Sequence, residues 1–335
     1  MEQSVEMPLD AIDDDAIHEN IVGKVGGIED RGSGIFDVQI ELSAATVGGD
    51  AGQLLNMMFG NTSLQDGVTL IDVSGQVPSL GPHHGIAGLR ERAGAFGRAL
   101  TCSALKPQGL SPARLAQLAE RFALGGIDFI KDDHGLADQA YSRFEDRVAA
   151  IASVVGRTRY VPSLSGDLDQ LRRQIDVACE HGIDTMMIMP MIAGWSTMQT
   201  LLRQYPDIAF LAHPSFGGAA RIAPDLLIGK LFRMLGADAV IFPNYGGRFG
   251  YTPETCLRLA ERARTPMDGL RPSMPVPAGG MTLDRVPEML DFYGPDAMLL
   301  IGGSLLAARE RLTEETAAFT RLVAQHKYRQ EADGH

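Results

Sequence analysis

One stretch concentrates the chemistry of this chain: Gly125-Gly-Ile-Asp-Phe-Ile-Lys-Asp-Asp-His134. Its first half, Gly126 to Ile130, is a short apolar run with β-branched and aromatic residues and reads as a buried strand. Its second half sets Lys131, Asp132, Asp133 and His134 at the carboxyl end of that strand, where parallel α/β sheets and barrels collect ligands and catalytic groups. Exposed, a lysine beside two carboxylates and an imidazole is an ordinary solvated strand end. Buried, the group reads as a hard-metal site, because carboxylate oxygens suit Mg²⁺, which keeps waters or substrate oxygens as its other ligands. Further polar residues follow other apolar runs. Lys106 comes directly after Leu100–Leu105. Drawn into an apolar mouth near another cation, such a lysine loses basicity and can move protons near neutral pH; left exposed, it only snorkels. Gly279-Gly280 and Gly302-Gly303-Ser304 close two later runs, and glycines there let backbone N–H groups approach a phosphate.

The elements that must position these residues recur regularly. Eight short apolar runs follow one another from Leu100–Leu105 through 127–130, 160–164, 185–189, 209–212, 239–242 and 274–276 to 297–301. Helix-length amphipathic segments lie between them, among them 112–123, 167–180, 225–235 and 283–292. Eight strand–helix units over residues 98–335 predict a (β/α)₈ TIM barrel. Residues 1–97 read as a small α+β domain of ferredoxin-like type. In it, 35–42 alternates as a half-buried strand should, 51–59 has helical composition closing on a C′ glycine at Gly60, and 68–73 is a second strand candidate.

The 335 residues leave ample length for a large domain beside a small one. A net charge of −12 argues against nucleic acid and anionic membranes as partners, since both want a basic face. Three scattered cysteines form no pair with metal or disulfide spacing, so a cytoplasmic setting is expected. The acidic amino terminus has no apolar signal-peptide core, and no uncharged apolar run reaches the ~20 residues that a membrane span needs.

Taken in order, these blocks resemble the large subunit of RuBisCO and its RuBisCO-like, form IV-type relatives. Gly125–His134 with Arg143-Phe-Glu-Asp-Arg147 is similar to the family's "GGxDFxKDDE" strand and "RxxDR". Gly81-Pro-His-His-Gly-Ile86 resembles "GPPHGI", Leu105-Lys-Pro-Gln-Gly-Leu-Ser111 resembles "IKPKLGLS", and Tyr160–Gly166 resembles "YLNATAG". Ala278-Gly-Gly280 and Ile301-Gly-Gly-Ser304 resemble "SGG" and "FGGGT". The resemblance implies that Lys131 takes up CO₂ as a carbamate and holds Mg²⁺ together with Asp133 and His134. His134 departs from the family's glutamate and so opens the site to another divalent metal. It assigns the proton at an enediolate to Lys106, a metal-side or substrate contact to His213, and the mobile sixth loop to Arg248. Gly279, Gly280, Gly302, Gly303 and Ser304 become the phosphate grip. Asn61 and Glu2 fall on amino-terminal residues that serve the active site of a homodimer partner. Glu2-Gln-Ser-Val-Glu-Met-Pro8 matches a strand well inside the family's amino-terminal domain, so that domain is expected to be truncated here.

Carboxylation itself is not expected. Gln108 replaces the second lysine of "KPK", Ile241 falls where a histidine is expected, and Arg248 stands for the lysine of loop six; an arginine is no substitute for a point charge aimed at CO₂. What remains is enediolate chemistry on a phosphorylated sugar acid. The run "KDDHGLADQ" most resembles the group that decarboxylates or transfers the carboxyl of 3-oxo-isoapionate 4-phosphate, and this lyase activity is the leading expectation. An enolase or isomerase of methionine salvage, acting on a methylthio-pentulose phosphate, is the alternative; the salvage enolases keep glutamate where this chain has His134. A non-catalytic sugar-phosphate-binding barrel is the third.

Overall fold

The structure is a computed structural model that describes residues 4–75, 79–267 and 269–328. Glu2 lies outside the described residues. The chain divides into two compact units, Met1–Ser79 with Ala220–Ala223, and Leu80–Ala219 with Pro224–His335. In the smaller unit, β1 (Lys24–Gly32) and β2 (Ile35–Glu41) form an antiparallel ribbon whose register runs from Lys24↔Glu41 to Gly32↔Ile35. The predicted alternation sets Phe36, Val38 and Ile40 on one face opposite Asp30, Ile28 and Val25. The expected half-burial is corrected: nearly every position of both strands is exposed, because a two-stranded ribbon has no second layer to cover that face. The helix Ala51–Phe59 forms as predicted and is capped by Asp50, whose side chain accepts from Gln53 N at 2.7 Å. Gly60 is not the left-handed stop expected. Its φ is −50°, and the chain winds on into a 3₁₀ turn at Asn61–Leu64. The candidate strand 68–73 reduces to a single parallel bridge, Leu70↔Ile222.

The larger unit contains all eight predicted strands. They are β3 (Leu100–Leu105), β4 (Phe129–Asp132), β5 (Arg159–Val161), β6 (Thr185–Ile188), β7 (Ala209–Ala212), β8 (Ala239–Pro243), β9 (Met274–Ala278) and β10 (Met298–Leu300). Each strand pairs in parallel with its neighbours, in the order β5-β4-β3-β10-β9-β8-β7-β6. The ring closes between β5 and β6, where Leu164 N donates to Met187 O and Met187 N to Pro162 O, both at 2.9 Å. This is the (β/α)₈ barrel that the eight apolar runs predict. Alternate residues such as Leu100, Cys102, Phe129, Val161, Met187 and Leu211 fill its interior as one apolar cluster. Because side chains alternate along a strand, Ala104, Lys131, Asp133 and His213 continue that inward-facing series toward the carboxyl ends.

The opposite end is tied down for stability rather than chemistry. Asp128 takes both arms of the Arg98 guanidinium at 2.8 Å, and Asp238 accepts the N–H groups of His84, Gly85 and Phe210. The helix Leu168–Glu180 starts on a capping box of Asp167 and Gln170, and Pro112–Leu124 has proline in its first turn. The predicted helix 225–235 is wound more widely over Asp225–Leu231 before it tightens at Phe232–Met234. There Gly229 brings its backbone close to the neighbouring helix, and a Cβ on it would stand 2.8 Å from Leu259 O. Among the described residues no helix is long and apolar enough to cross a membrane.

Candidate active site at the barrel mouth

Lys131 is the last but one residue of β4 and is 3% exposed. Register pairs it with Ala104 on one side and Val161 on the other, so its stem lies in the barrel interior. Its ammonium donates to the Asp132 carbonyl at 2.8 Å. Burial pushes its pKa below that of an ordinary lysine, against the pull of Cys102 and the neighbouring aspartates and with help from the Lys106 charge. The same burial pushes the Cys102 thiol up to about 12, which removes it as a nucleophile.

Asp133 is the hub of the mouth. Its Oδ1 is 3.3 Å from Lys106 Nζ and 3.4 Å from His134 Nδ1, and its Oδ2 accepts from Gln108 Nε2 at 3.3 Å. Burial opposes the charge on Asp133. The His134 ring, the Lys106 and Lys131 ammoniums and the Gln108 amide outweigh it and hold the carboxyl well below the usual range. The His134 ring stacks on His213 with centroids 4.5 Å apart and planes 8° from parallel. Burial first, then the Lys131 charge and the His134 ring, push His213 down to about 2, so it is neutral at physiological pH. Its Nδ1 accepts from Ser215 N at 3.2 Å, which leaves the ring proton on Nε2.

A second layer holds β4 in place. Asp132 points away from the mouth into a fully buried ion pair with Arg147, Nε to Oδ2 at 3.0 Å, and also accepts from Tyr160 OH and Ser163 N. Arg147 further donates to Ser142 O and Ala137 O, so its guanidinium ties the loop after β4 to the strand. The sequence offered a signal for it in Arg143–Arg147, but only the register of β4 and β5 reveals the buried pair. Gln108 was noted only as a departure, and its contact with Asp133 was missed. A Cβ on Gly135 would lie 1.7 Å from Gln108 Nε2, so that glycine is what admits the amide.

Lys106, Lys131, Asp133, His134 and His213 are thus brought together. Gly279 and Gly280 follow β9, with φ of 82° and 66°; Gly280 packs on the sixth loop, where a Cβ would meet Gly247 Cα at 2.5 Å. Gly302, Gly303 and Ser304 follow β10, and a Cβ on Gly303 would meet nothing within 4 Å. Arg248 is not part of the cluster. It is exposed, with its guanidinium over the Phe249 ring at 4.9 Å, and among the described residues no hydrogen bond or ion pair holds it. Asn61 belongs to the smaller unit, where its amide donates to Glu6 Oε1 at 2.9 Å.

Among the described residues no three histidine, cysteine or carboxylate side chains form a ready-made metal site. Asp133 and His134 supply one oxygen and one nitrogen donor beside the buried Lys131 amine. That set fits a divalent cation once Lys131 contributes an oxygen, as a carbamate would.

Comparison with known proteins agrees with this geometry. The family described as "Ribulose bisphosphate carboxylase large chain, catalytic domain" matches residues 85–242. A 5-methylthioribulose-1-phosphate isomerase from Rhodospirillum rubrum is 60% identical, covering 97% of this chain and 90% of that protein. A 2,3-diketo-5-methylthiopentyl-1-phosphate enolase from Geobacillus thermodenitrificans is 31% identical, covering 84% of this chain and 76% of that protein. The crystal structure of a Rubisco-like protein from Rhodopseudomonas palustris superposes with a TM-score of 0.90 at 48% identity, covering 98% of this chain and 92% of that one. These findings overturn the leading expectation. The relatives carry isomerase and enolase names, so the decarboxylation of 3-oxo-isoapionate 4-phosphate read from "KDDHGLADQ" is withdrawn. That run supplies the polar cluster at the barrel mouth, and its residue types do not fix the substrate. The barrel, the ordered blocks and the 60% relative lead to one conclusion: this chain belongs to the RuBisCO large-chain family, among its RuBisCO-like members.

Proposed function

We propose that this protein is an isomerase of a 5-methylthioribulose 1-phosphate type of substrate, moving a proton through an enediolate. The 60% identity to such an isomerase along nearly the whole chain carries the reading. The cluster at the barrel mouth is its chemical counterpart. Lys131, as a carbamate, would hold Mg²⁺ or another divalent metal with Asp133 and His134; when bound, the metal supplies polarisation of the substrate carbonyl. Burial keeps the Lys131 amine available for CO₂, because only the neutral amine reacts. Lys106, 3.3 Å from Asp133, takes and returns the proton. His213 presents Nε2–H as a neutral donor toward the substrate's oxygens. Gly279, Gly280, Gly302, Gly303 and Ser304 bind the phosphate, and the chain acts as a homodimer with shared sites.

An enolase of the same salvage chemistry is the second reading, supported by relatives of that name at 27% to 32% identity. The imidazole at 134 favours the isomerase, because the salvage enolases carry glutamate there. The test is turnover of the two candidate phosphates by purified protein, with Mg²⁺ and bicarbonate, followed by phosphorus NMR. Conversion of 5-methylthioribulose 1-phosphate to an isomeric phosphate is expected. Turnover of the diketone alone would favour the enolase, and turnover of neither would refute the proposal.

A further inference from the structure

We infer that Ser163 is a positioning residue for Lys131, donating its hydroxyl hydrogen bond to the carbamate. The inference rests on the proposed function, which puts a carbamate on that lysine. Ser163 is 0% exposed, and its Oγ has no hydrogen-bond partner among the described residues. Buried hydroxyls are nearly always bonded, so an orphan at the edge of a reaction site points to a bound group.

Its placement says which group. Lys131 pairs with Val161, and Val161 lies in the barrel's interior cluster with Phe129. Ser163 comes two residues after Val161, so it faces the same interior, one step nearer the mouth. Its own N–H donates to Asp132 Oδ2 at 3.1 Å, which pins this backbone beside the residue that follows Lys131. On the other flank of Lys131 stands Ala104, and a Cβ on Gly302 would lie 4.0 Å from the Ala104 methyl. Small residues on that side leave room for a carboxylate on the amine, and the donor stands on the other. In the covalent step the neutral Nζ attacks CO₂. An N–C bond forms, one C=O electron pair moves onto oxygen, and one proton leaves the nitrogen for solvent. The product is an anion, and a hydroxyl donating to an anionic oxygen makes one of the stronger hydrogen bonds.

The experiment is carbon-13 NMR of the full chain with labelled bicarbonate and Mg²⁺, on wild type, Lys131→Ala, Ser163→Ala and Ser163→Cys. The wild type should show a carbamate carbon that Lys131→Ala lacks. Ser163→Ala should need about ten-fold more bicarbonate for the same signal, the factor such a bond carries, with the weakly donating Ser163→Cys in between. Melting without bicarbonate separates positioning from folding. The hydroxyl bonds nothing in the described protein, so Ser163→Ala should melt no lower than wild type. Carbamate titrating identically in Ser163→Ala and wild type would overturn the inference, as would a lower melting temperature of Ser163→Ala in the absence of bicarbonate. No carbamate in wild type would refute the carbamate reading itself, and the inference with it.

Discussion

At Lys131, burial and chemistry act in the same direction. The interior position that lowers its pKa is also the one from which an added carboxylate would meet Asp133 and His134. Lys131→Ala is expected to lower kcat/KM by about a thousand-fold and to abolish CO₂-dependent metal binding, while a folded barrel remains; steady-state kinetics with metal titration checks this. Gly303 allows a cleaner test of the phosphate grip. A Cβ there meets nothing within 4 Å, so Gly303→Asp adds charge at an open position. Its KM for the phosphorylated substrate should rise ten-fold or more, because a carboxylate would face the phosphate, and its melting temperature should stay within a few degrees. An unchanged KM would remove this loop from the phosphate site. Lys106, Lys131, Asp133 and His134 were legible in the sequence because they follow apolar runs inside blocks that resemble the family's in order. Ser163 and the Gln108–Asp133 bond were not, because both depend on the register between neighbouring strands.

At the scale of elements, β4 and its following loop are held by what lies behind them. Arg147 and Asp132 are both fully buried, so Arg147→Met would leave an uncompensated carboxylate inside the protein. A loss of about 3–5 kcal/mol is expected from denaturant unfolding, with partial recovery when Asp132→Asn is added. Gly135→Ala probes the same loop from the front. The new methyl would displace the Gln108 amide and little else, since that amide is the flexible end of an exposed side chain. A roughly ten- to hundred-fold weaker metal affinity with an unchanged fold is expected, about what one hydrogen bond to a charged metal ligand carries. Affinity equal to wild type would show that Gln108 does not orient Asp133. The eight barrel strands were readable because each is a short apolar run between amphipathic helices. The β1–β2 ribbon was misread as half-buried because alternation divides a strand into faces without saying whether anything covers them.

At the scale of the whole molecule, that ribbon leaves Val25, Ile28, Phe36, Val38 and Ile40 exposed on one face. A solvated apolar face of this kind favours association. Sedimentation should show a homodimer, with specific activity falling as the protein is diluted into monomers; full activity of a monomer at nanomolar concentration would contradict it. Family and barrel could be read from ordered blocks along the chain, whereas the substrate could not. The polar cluster at the barrel mouth suits several enediolate reactions, so its residue types do not name the substrate. The central claim is proton transfer on a methylthio-pentulose phosphate. It is tested most directly by proton NMR of 5-methylthioribulose 1-phosphate in D₂O with enzyme, Mg²⁺ and bicarbonate. An isomeric phosphate is expected with every carbon retained, with proton transfer or deuterium entry confined to carbons beside the carbonyl, and with a rate about a thousand-fold lower in Lys131→Ala. A substrate that remains unconverted, with no deuterium above the rate without enzyme, would contradict it.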